Sequence, residues 1–252
     1  MNLSLALAGI EDFYRRIYWQ APTATTYDER DYVLTYSGVN WLHSINQLWL
    51  RKPHALDDHI LLAAAQFFNS YQAEYSIVIA DSHPASIQRW LHARQYVERT
   101  SDPVYGLCGL PRPRNTHREA IIVQVCAEQQ RDLLKVLYGA FFMGPEIGRC
   151  AVRTEHFSDP AIRHYLAYVD GEAAACATII LGDGIAGVWN VGTLRPFRRQ
   201  GLASAILMRA LADAAADGYP ESILVASQMG RPLYEEMGYK LLGNTFFYGP
   251  GD

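Results

Sequence analysis

The sequence lacks the features that mark metal sites, disulfide frameworks and membrane spans. Its four cysteines, Cys108, Cys126, Cys150 and Cys176, are scattered without a CxxC pair, and its eight histidines show no HExxH or comparable ligand spacing. We therefore expect reduced thiols in a cytoplasmic protein, and no metal site. No apolar run approaches the roughly 18 residues that a membrane span needs, so we expect no membrane partner.

Charge of either sign is also modest. The 22 Lys and Arg residues are outnumbered by 26 Asp and Glu residues, which gives a formal net charge of −4 in a chain of 252 residues. Without a global basic field, no nucleic-acid partner is predicted. The N-terminal run LSLALAGI has no preceding cation and is followed by Glu11 and Asp12. We interpret it as part of a packed helix rather than a signal peptide.

The clearest interruption of the chain is GLPRPRNTHRE at 109–119. Two prolines, a glycine and four basic residues in so short a space are typical of an exposed linker. We predict two domains, 1–115 and 116–252.

The second domain alternates strand-like and helix-like segments. Hairpin signals, DG and GDG, separate three strand-like runs within 163–194. The predicted order is a strand at 120–126, a helix at 127–142, a break at GPEIG (144–148), the three strands, a helix at 201–217, a strand at 221–227, a short helix in RPLYEEMG and a closing strand pair in YKLLGNTFFYG.

One motif is misleading. GDGIAG at 182–187 fits GxGxxG, but a dinucleotide fingerprint must be followed by a helix whose N–H groups meet the pyrophosphate. Here the strand-like run VWNVGTL follows, so we predict a hairpin turn.

The stretch TLRPFRRQGLAS, which begins at Thr193, concentrates positive charge and glycine before a helix. A helix N-terminus presents unpaired N–H groups to an anion; Gly201 lets the backbone approach closely, and Ala203 and Ser204 keep the next turn uncrowded. The alternative is a solvated flank with Gly201 as a simple cap. Arg198 and Arg199 would then oppose the helix dipole at a cost of up to ~1 kcal/mol, which favours phosphate binding.

The same residues resemble the GNAT superfamily of N-acetyltransferases. RRQGLA is similar to the R/Q-x-x-G-x-G/A signature of that family, and SQMGRPLYEEMGYKLLG resembles its second signature. The resemblance covers about 120–252. It implies an α/β (α+β) fold with a mixed, mostly antiparallel central sheet flanked by helices, and acetyl-CoA as cosubstrate.

The resemblance also assigns roles to residues. The loop would hold the pyrophosphate of CoA, and the preceding strand would bind the pantetheine arm through main-chain groups, one of which polarises the thioester carbonyl. Tyr234 would protonate the departing thiolate, with an aromatic packing role as the alternative. Thr193, Arg195, Ser227 and Gly230 depart from the common pattern. The implied cofactor-binding residues are Val191, Gly192, Thr193, Arg198, Arg199, Gln200, Gly201, Leu202, Ala203, Ser204 and Ser227.

The base that accepts the amine proton is not fixed by the sequence. Glu146, Glu155 and His156 lie on the connection where the resemblance implies the acceptor site, although for each a solvated loop position is the better interpretation. Asn190 can orient a water but cannot act as a base. Cys150 is interpreted as structural, because transfer in this family is direct.

The first half resembles a degenerate copy of the second. EYSIVIADSHPASIQRWLHARQYVERTSDPVYG (74–106) parallels ESILVASQMGRPLYEEMGYKLLGNTFFYG (221–249), although chance similarity is an equal alternative. The helix before the first copy starts with Asp57 and Asp58, which would repel phosphate, and Leu91 occupies the tyrosine position. We therefore expect a degenerate GNAT-like half without a CoA site, adding to the acceptor surface.

The predicted function is an acyl-CoA-dependent N-acyltransferase that acetylates a small-molecule amine. A ligand-binding module without turnover and a protein N-acetyltransferase remain the alternatives. The acceptor and the oligomeric state, monomer or homodimer, stay open.

Overall fold

The fold is known from a computed structural model, which describes residues 1–80, 85–113, 119–141 and 144–251. The helices are α1 Leu3–Tyr14, α2 Asp58–Ser70, α3 Ala85–His92, α4 Gln130–Phe141, α5 Pro145–Ala151, α6 Leu202–Ala216 and α7 Arg231–Glu236. The strands are β1 Thr25–Asp28, β2 Tyr32–Tyr36, β3 Gln47–Leu50, β4 Ser76–Ala80, β5 Tyr96–Cys108, β6 Ile121–Gln124, β7 Ile162–Val169, β8 Glu172–Gly182, β9 Ile185–Thr193, β10 Glu221–Val225 and β11 Lys240–Pro250.

The chain forms two compact units, each built from two segments. The large unit contains Met1–Phe13 and Val104–Leu242, and the small unit contains Tyr14–Pro103 and Gly243–Asp252. The predicted linker lies partly outside the described residues, since 114–118 are not among them. The domain boundary near residue 115 therefore stays a prediction.

The large unit is a mixed, mostly antiparallel sheet with helices on both faces, as predicted. Its strand order is β5-β10-β9-β8-β7-β6, and β9 with β10 is the parallel pair. The alanine-rich β8 is buried along almost its whole length. One hydrophobic cluster joins Tyr165 and Ala177 to α6, and another joins Leu166 and Cys176 to α4. Because successive strand residues point to opposite faces, α6 and α4 cover the two sides of the sheet.

The helical spacing in α6 predicts one apolar face, formed by Ala203, Leu207, Ala210, Leu211 and Ala214. The last four are buried against the sheet and Ala203 is half-buried, whereas Arg209, on the predicted polar face, is exposed. Alanine and leucine favour the helical conformation, and their spacing places the apolar side chains on one face. The predicted helix at 201–217 is confirmed.

The strands of the small unit are mostly antiparallel and follow the order β1-β2-β3-β4-β11-β5. Its core packs α2 and α3 onto β2, β3 and β4 through Leu48, Ile77, Phe68 and Leu91. β3 and β4 are parallel, whereas the pairs β1–β2, β2–β3 and β4–β11 are antiparallel.

The predicted break at GPEIG is confirmed, because α4 ends at Phe141 and Gly144 precedes a new helix, α5, with Pro145 in its first turn, where proline is well tolerated. One local prediction is wrong: the closing segment is one strand, β11, rather than a strand pair. Residues 245–248 pair continuously with β4, so the sheet overrides the local turn signal at Gly243 and Asn244. The hairpin predicted at GDGIAG is confirmed, with Asp183 and Gly184 at positive φ between β8 and β9.

The two similar sequence segments also have similar element orders. β3–α2–β4 and β9–α6–β10 are both parallel crossovers, each followed by a short helix. β4 pairs with β11, which follows α7, whereas β10 pairs with β5, which follows α3. The final strands of the two segments are thus exchanged, which is why the small unit includes Gly243–Asp252; the large unit is discontinuous because it includes Met1–Phe13. The internal duplication itself stays a prediction.

Within the described ranges, no helix combines the length and hydropathy that a membrane span requires.

Candidate active site

The candidate site begins where two parallel strands of the large unit part. β10 pairs with β9 from Glu221 and Ile185 as far as Leu224 and Val188, while β9 continues to Thr193 beside β8. The register of β9 against β8 shifts between Cys176 and Thr178, and Asn190 has φ +52 at this bulge. Beyond Val188, one edge of β9 is therefore free of β10 and borders a cleft.

The N-terminus of α6 forms one end of the cleft. Gly201 is the residue before the helix and has φ +84, a left-handed conformation that favours glycine. It supplies no side-chain cap, and the first turn contains no acidic residue. Arg199 also has positive φ, +63, a strained backbone state of the kind found at ligand sites. The loop thus presents backbone N–H groups and positive charge without a built-in anion.

The cleft has a volume of about 630 Å³. Every predicted site residue except Gln200 lines it; the side-chain amide of Gln200 instead donates to the carbonyl oxygen of Pro196. The cleft is also lined by residues that the sequence did not assign to the site. Ala140 and Phe141 lie outside both motifs, whereas the others lie within the motif stretches but were given no role: Phe197, Met229, Gly230, Pro232, Leu233 and Glu236.

Arg198 makes contacts that the motif did not predict. Its Nε donates to the carbonyl oxygen of Thr193 at 3.0 Å, and its Nη2 donates to that of Ala140 at 3.4 Å. The guanidinium therefore joins the end of β9 to the C-terminal turn of α4, where carbonyl groups carry partial negative charge. Arg199, by contrast, is exposed beside the cleft.

Tyr234 lies on α7 and borders the cleft with only 7% of its surface exposed. Burial raises the pKa of its phenol to about 12. The ring packs edge-on against Tyr239, with centroids 5.9 Å apart. A Cβ at Gly230 would lie 3.0 Å from Cε2 of Tyr234, so glycine there leaves room for the ring. Ser227, at the turn before α7, accepts the N–H of Gly230 on its Oγ at 3.2 Å.

None of the sequence candidates for a base lines the cleft. Glu146 and Glu155 are exposed, as expected for solvated residues, although Glu146 lies in the first turn of α5 rather than in a loop. His156 is only 2% exposed, so the interpretation as a solvated loop residue is wrong. Cys150 is partly exposed on α5. The amide nitrogen of Asn190 is buried without a partner among the described residues.

His156 and His164 form a buried pair away from the cleft lining. Their ring centroids are 6.0 Å apart, and Nδ1 of His164 lies 2.9 Å from Oγ1 of Thr178. Burial, with the positive charge of Arg153, lowers the pKa of His156 to about 4. Burial, with His156 nearby, lowers the pKa of His164 to about 3. Both imidazoles are therefore neutral at physiological pH.

This pair should make the free energy of unfolding depend strongly on pH. Unfolded histidine binds a proton below about pH 6.5, whereas the folded pair resists protonation until the pH falls near 4 and 3. The contribution of the two neutral histidines to the free energy of unfolding is thus fully present above pH 6.5 and is lost as the pH falls towards 3. For each histidine the loss is up to about 1.4 kcal/mol per pH unit. Urea unfolding at pH 7.5 and pH 5.0 should reveal the loss, and His164→Gln should reduce it. His59→Gln, at an exposed histidine, is the matched control and should behave like wild type. This account would be contradicted if the free energy of unfolding fell equally, between pH 7.5 and pH 5.0, in wild type and His164→Gln.

Comparison with known proteins places this geometry in a family. Residues 131–239 match the model of the acetyltransferase (GNAT) family. A GCN5-related N-acetyltransferase from Kribbella flavida aligns over 100% of this chain and 97% of its own, with 17% identity and a TM-score of 0.73. A GCN5-related N-acetyltransferase from Sphaerobacter thermophilus aligns over 96% of this chain and 86% of its own, with 16% identity and a TM-score of 0.67.

A functionally unknown conserved protein from Staphylococcus epidermidis has the same fold, with a TM-score of 0.66 and 16% identity over 95% of this chain and 98% of its own. At such identities the structural likeness establishes the fold alone. No curated protein matches the chain significantly. The family model, the mostly antiparallel sheet and the cleft at the start of α6 agree, and residues 131–239 of this chain form an acetyltransferase domain of the GNAT family.

Proposed function

We propose that this chain transfers an acetyl group from acetyl-CoA to the primary amine of a small molecule. The observation that carries the proposal is that the predicted phosphate-binding loop and the predicted catalytic tyrosine border the same cleft. The uncapped N-terminus of α6 lies at it with Arg199 and Gly201, and the buried phenol of Tyr234 lines the same cleft. Phosphate binding and acid catalysis can then act on one ligand.

The proposed roles follow from the chemistry of each group. Backbone N–H groups of Leu202, Ala203 and Ser204 bind the pyrophosphate, and Gly201 allows its close approach. Main-chain groups at Val191–Thr193, on the free edge of β9, bind the pantetheine arm. The amine nitrogen bonds to the carbonyl carbon, the carbon–sulfur bond breaks, and the amine proton passes to solvent water. Tyr234 donates a hydrogen bond to the departing sulfur as negative charge develops on it, and the thiolate takes its proton from the same solvent.

The small unit takes a different role, because the positive N-terminus of α2, which corresponds to that of α6, is already capped by a carboxylate of this chain. The carboxylate of Asp57 accepts the N–H of Ile60 at 2.9 Å and so occupies the place of an anion at the start of α2. Asp58 follows directly and forms a two-bond ion pair with Arg94. Leu91, at the tyrosine position, is fully buried in the core. We propose that this unit holds no CoA and is a degenerate GNAT-like half.

Titration and a thiol-release assay test the function together. Calorimetry with acetyl-CoA should give one equivalent per chain, and CoA thiol should appear only when an amine from a panel of aminoglycosides, polyamines, amino acids and peptide N-termini is acetylated. A second equivalent that disappears on mutation of residues 51–60 would overturn the role given to the small unit. Binding without thiol release from any amine would favour a ligand-binding module, and release with peptides alone would favour a protein N-acetyltransferase.

A further inference from the structure

The last turn of α4 forms one wall of the cleft and lies unusually close to β9. A Cβ added at Gly192 would lie 2.7 Å from Cε2 of Phe141 and 2.8 Å from Cβ of Ala140. In the same turn, a Cβ at Gly139 would lie 2.5 Å from Cδ2 of Leu194. Two glycines, one on each element, therefore permit this approach, which larger residues would prevent.

This wall is also fixed by hydrogen bonds. Arg198 donates to the carbonyl oxygens of Ala140 and Thr193, one on α4 and the other on β9. The same side chain thus ties the end of the helix to the strand edge that borders the cleft. Held on both sides, the turn cannot move outward without breaking these bonds.

Phe141 is the largest side chain that this wall presents to the cleft. Its ring touches Gly192, yet 42% of its surface remains exposed, and it lines the cleft with Val191 and Gly192. Since an exposed aromatic ring at the end of a helix contributes little to the core, its position calls for another explanation. A rigid ring against a strand edge limits the length of whatever lies along that edge.

We propose that Phe141 sets the acyl-chain length that the enzyme accepts, as a steric stop that admits acetyl and disfavours longer groups. The inference rests on the proposed function, in which the pantetheine arm follows β9 at Val191–Thr193. The thioester end of that arm then faces the ring beside Gly192. Arg198 acts as a positioning residue, because it holds the turn that carries the ring.

Affinities for acyl-CoA thioesters test the proposal without depending on the acceptor amine. Dissociation constants of the full chain for CoA, acetyl-CoA and hexanoyl-CoA are measured by calorimetry, for wild type and Phe141→Ala. Wild type should bind hexanoyl-CoA no more tightly than acetyl-CoA, because the ring leaves the added chain without a place to bury. In Phe141→Ala, each methylene that becomes buried should raise affinity roughly fourfold. The preference for hexanoyl-CoA over acetyl-CoA should therefore rise by roughly tenfold or more.

Controls separate this inference from the function on which it rests. Met229→Ala removes another large apolar side chain from the cleft lining, one that is 74% exposed, and should leave the ratio unchanged. Phe141→Trp should keep acetyl-CoA binding and weaken hexanoyl-CoA binding further. The inference fails if Phe141→Ala binds CoA normally but keeps the wild-type preference between hexanoyl-CoA and acetyl-CoA. It also fails if Met229→Ala changes that preference as much as Phe141→Ala does. In both cases the proposed function itself is unaffected. If wild type binds no CoA at all, the proposed function fails first.

Discussion

Gly201→Glu should weaken acetyl-CoA binding by roughly tenfold to a thousandfold while the fold is retained. The new carboxylate would stand at the start of α6, where the pyrophosphate is proposed to bind. Two like charges about 4 Å apart repel by roughly 1 to 4 kcal/mol between the dielectric limits of water and a protein surface. Isothermal titration calorimetry of the variant with acetyl-CoA measures the change.

Two variants separate charge from backbone strain. Any side chain at Gly201 must adopt φ +84, which costs roughly 1–2 kcal/mol for an L-residue. Gly201→Gln carries the same strain without the charge and should bind more tightly than Gly201→Glu. Gly184→Glu places the same charge at another left-handed glycine, φ +77, with nothing within 4 Å of the added Cβ and at the far end of β9. It should bind like wild type, and unchanged binding by Gly201→Glu would remove the phosphate site from this loop.

Tyr234→Phe should lower the turnover rate by roughly a hundredfold to ten-thousandfold, the usual contribution of general acid catalysis. The phenylalanine ring keeps the contacts of the tyrosine, so acetyl-CoA binding should change by about 1 kcal/mol or less. Single-turnover thiol release in a quenched-flow experiment isolates the chemical step from product release.

Tyr239→Phe is the matched control for this loss. Tyr239 is buried in edge-on contact with Tyr234, but its hydroxyl bonds to Oγ of Ser222 at 2.7 Å, and Tyr239 does not line the cleft. Loss of this hydroxyl should lower the free energy of unfolding by about 1 kcal/mol and leave the turnover rate unchanged. Wild-type turnover by Tyr234→Phe, with chemistry rate-limiting, would make Tyr234 a packing residue.

The raised pKa of Tyr234 refines its proposed role. A phenol with a pKa of about 12 keeps its proton at neutral pH, so the donor is always available. A thiol ordinarily has a pKa near 8.5, which makes complete transfer from the phenol to a free thiolate unfavourable. Tyr234 is therefore proposed to stabilise the departing sulfur mainly by a hydrogen bond while the carbon–sulfur bond breaks.

The start of α6 could be predicted because its signals are local. Glycine at a left-handed position, small residues in the first turn and an apolar face at helical spacing all act within a few residues of one another. The position of Tyr234 came from the second motif for the same reason. Sequence alone therefore determined the helix and the βα order, and it correctly predicted that GDGIAG is a hairpin.

The tertiary structure decided what depends on distant parts of the chain. The motif predicts Arg198 as a phosphate ligand, but its guanidinium donates a hydrogen bond to the carbonyl oxygen of Ala140, which is 58 positions away. His156 reads as a loop residue, but its ring packs beside His164 and is buried. The wall at Phe141 exists because Gly192 on β9 leaves room for Ala140 and Phe141, and Gly139 on α4 leaves room for Leu194. The exchange of β5 and β11 has the same origin, since a strand's partner is chosen by long-range pairing and shared burial, and no local pattern encodes that choice.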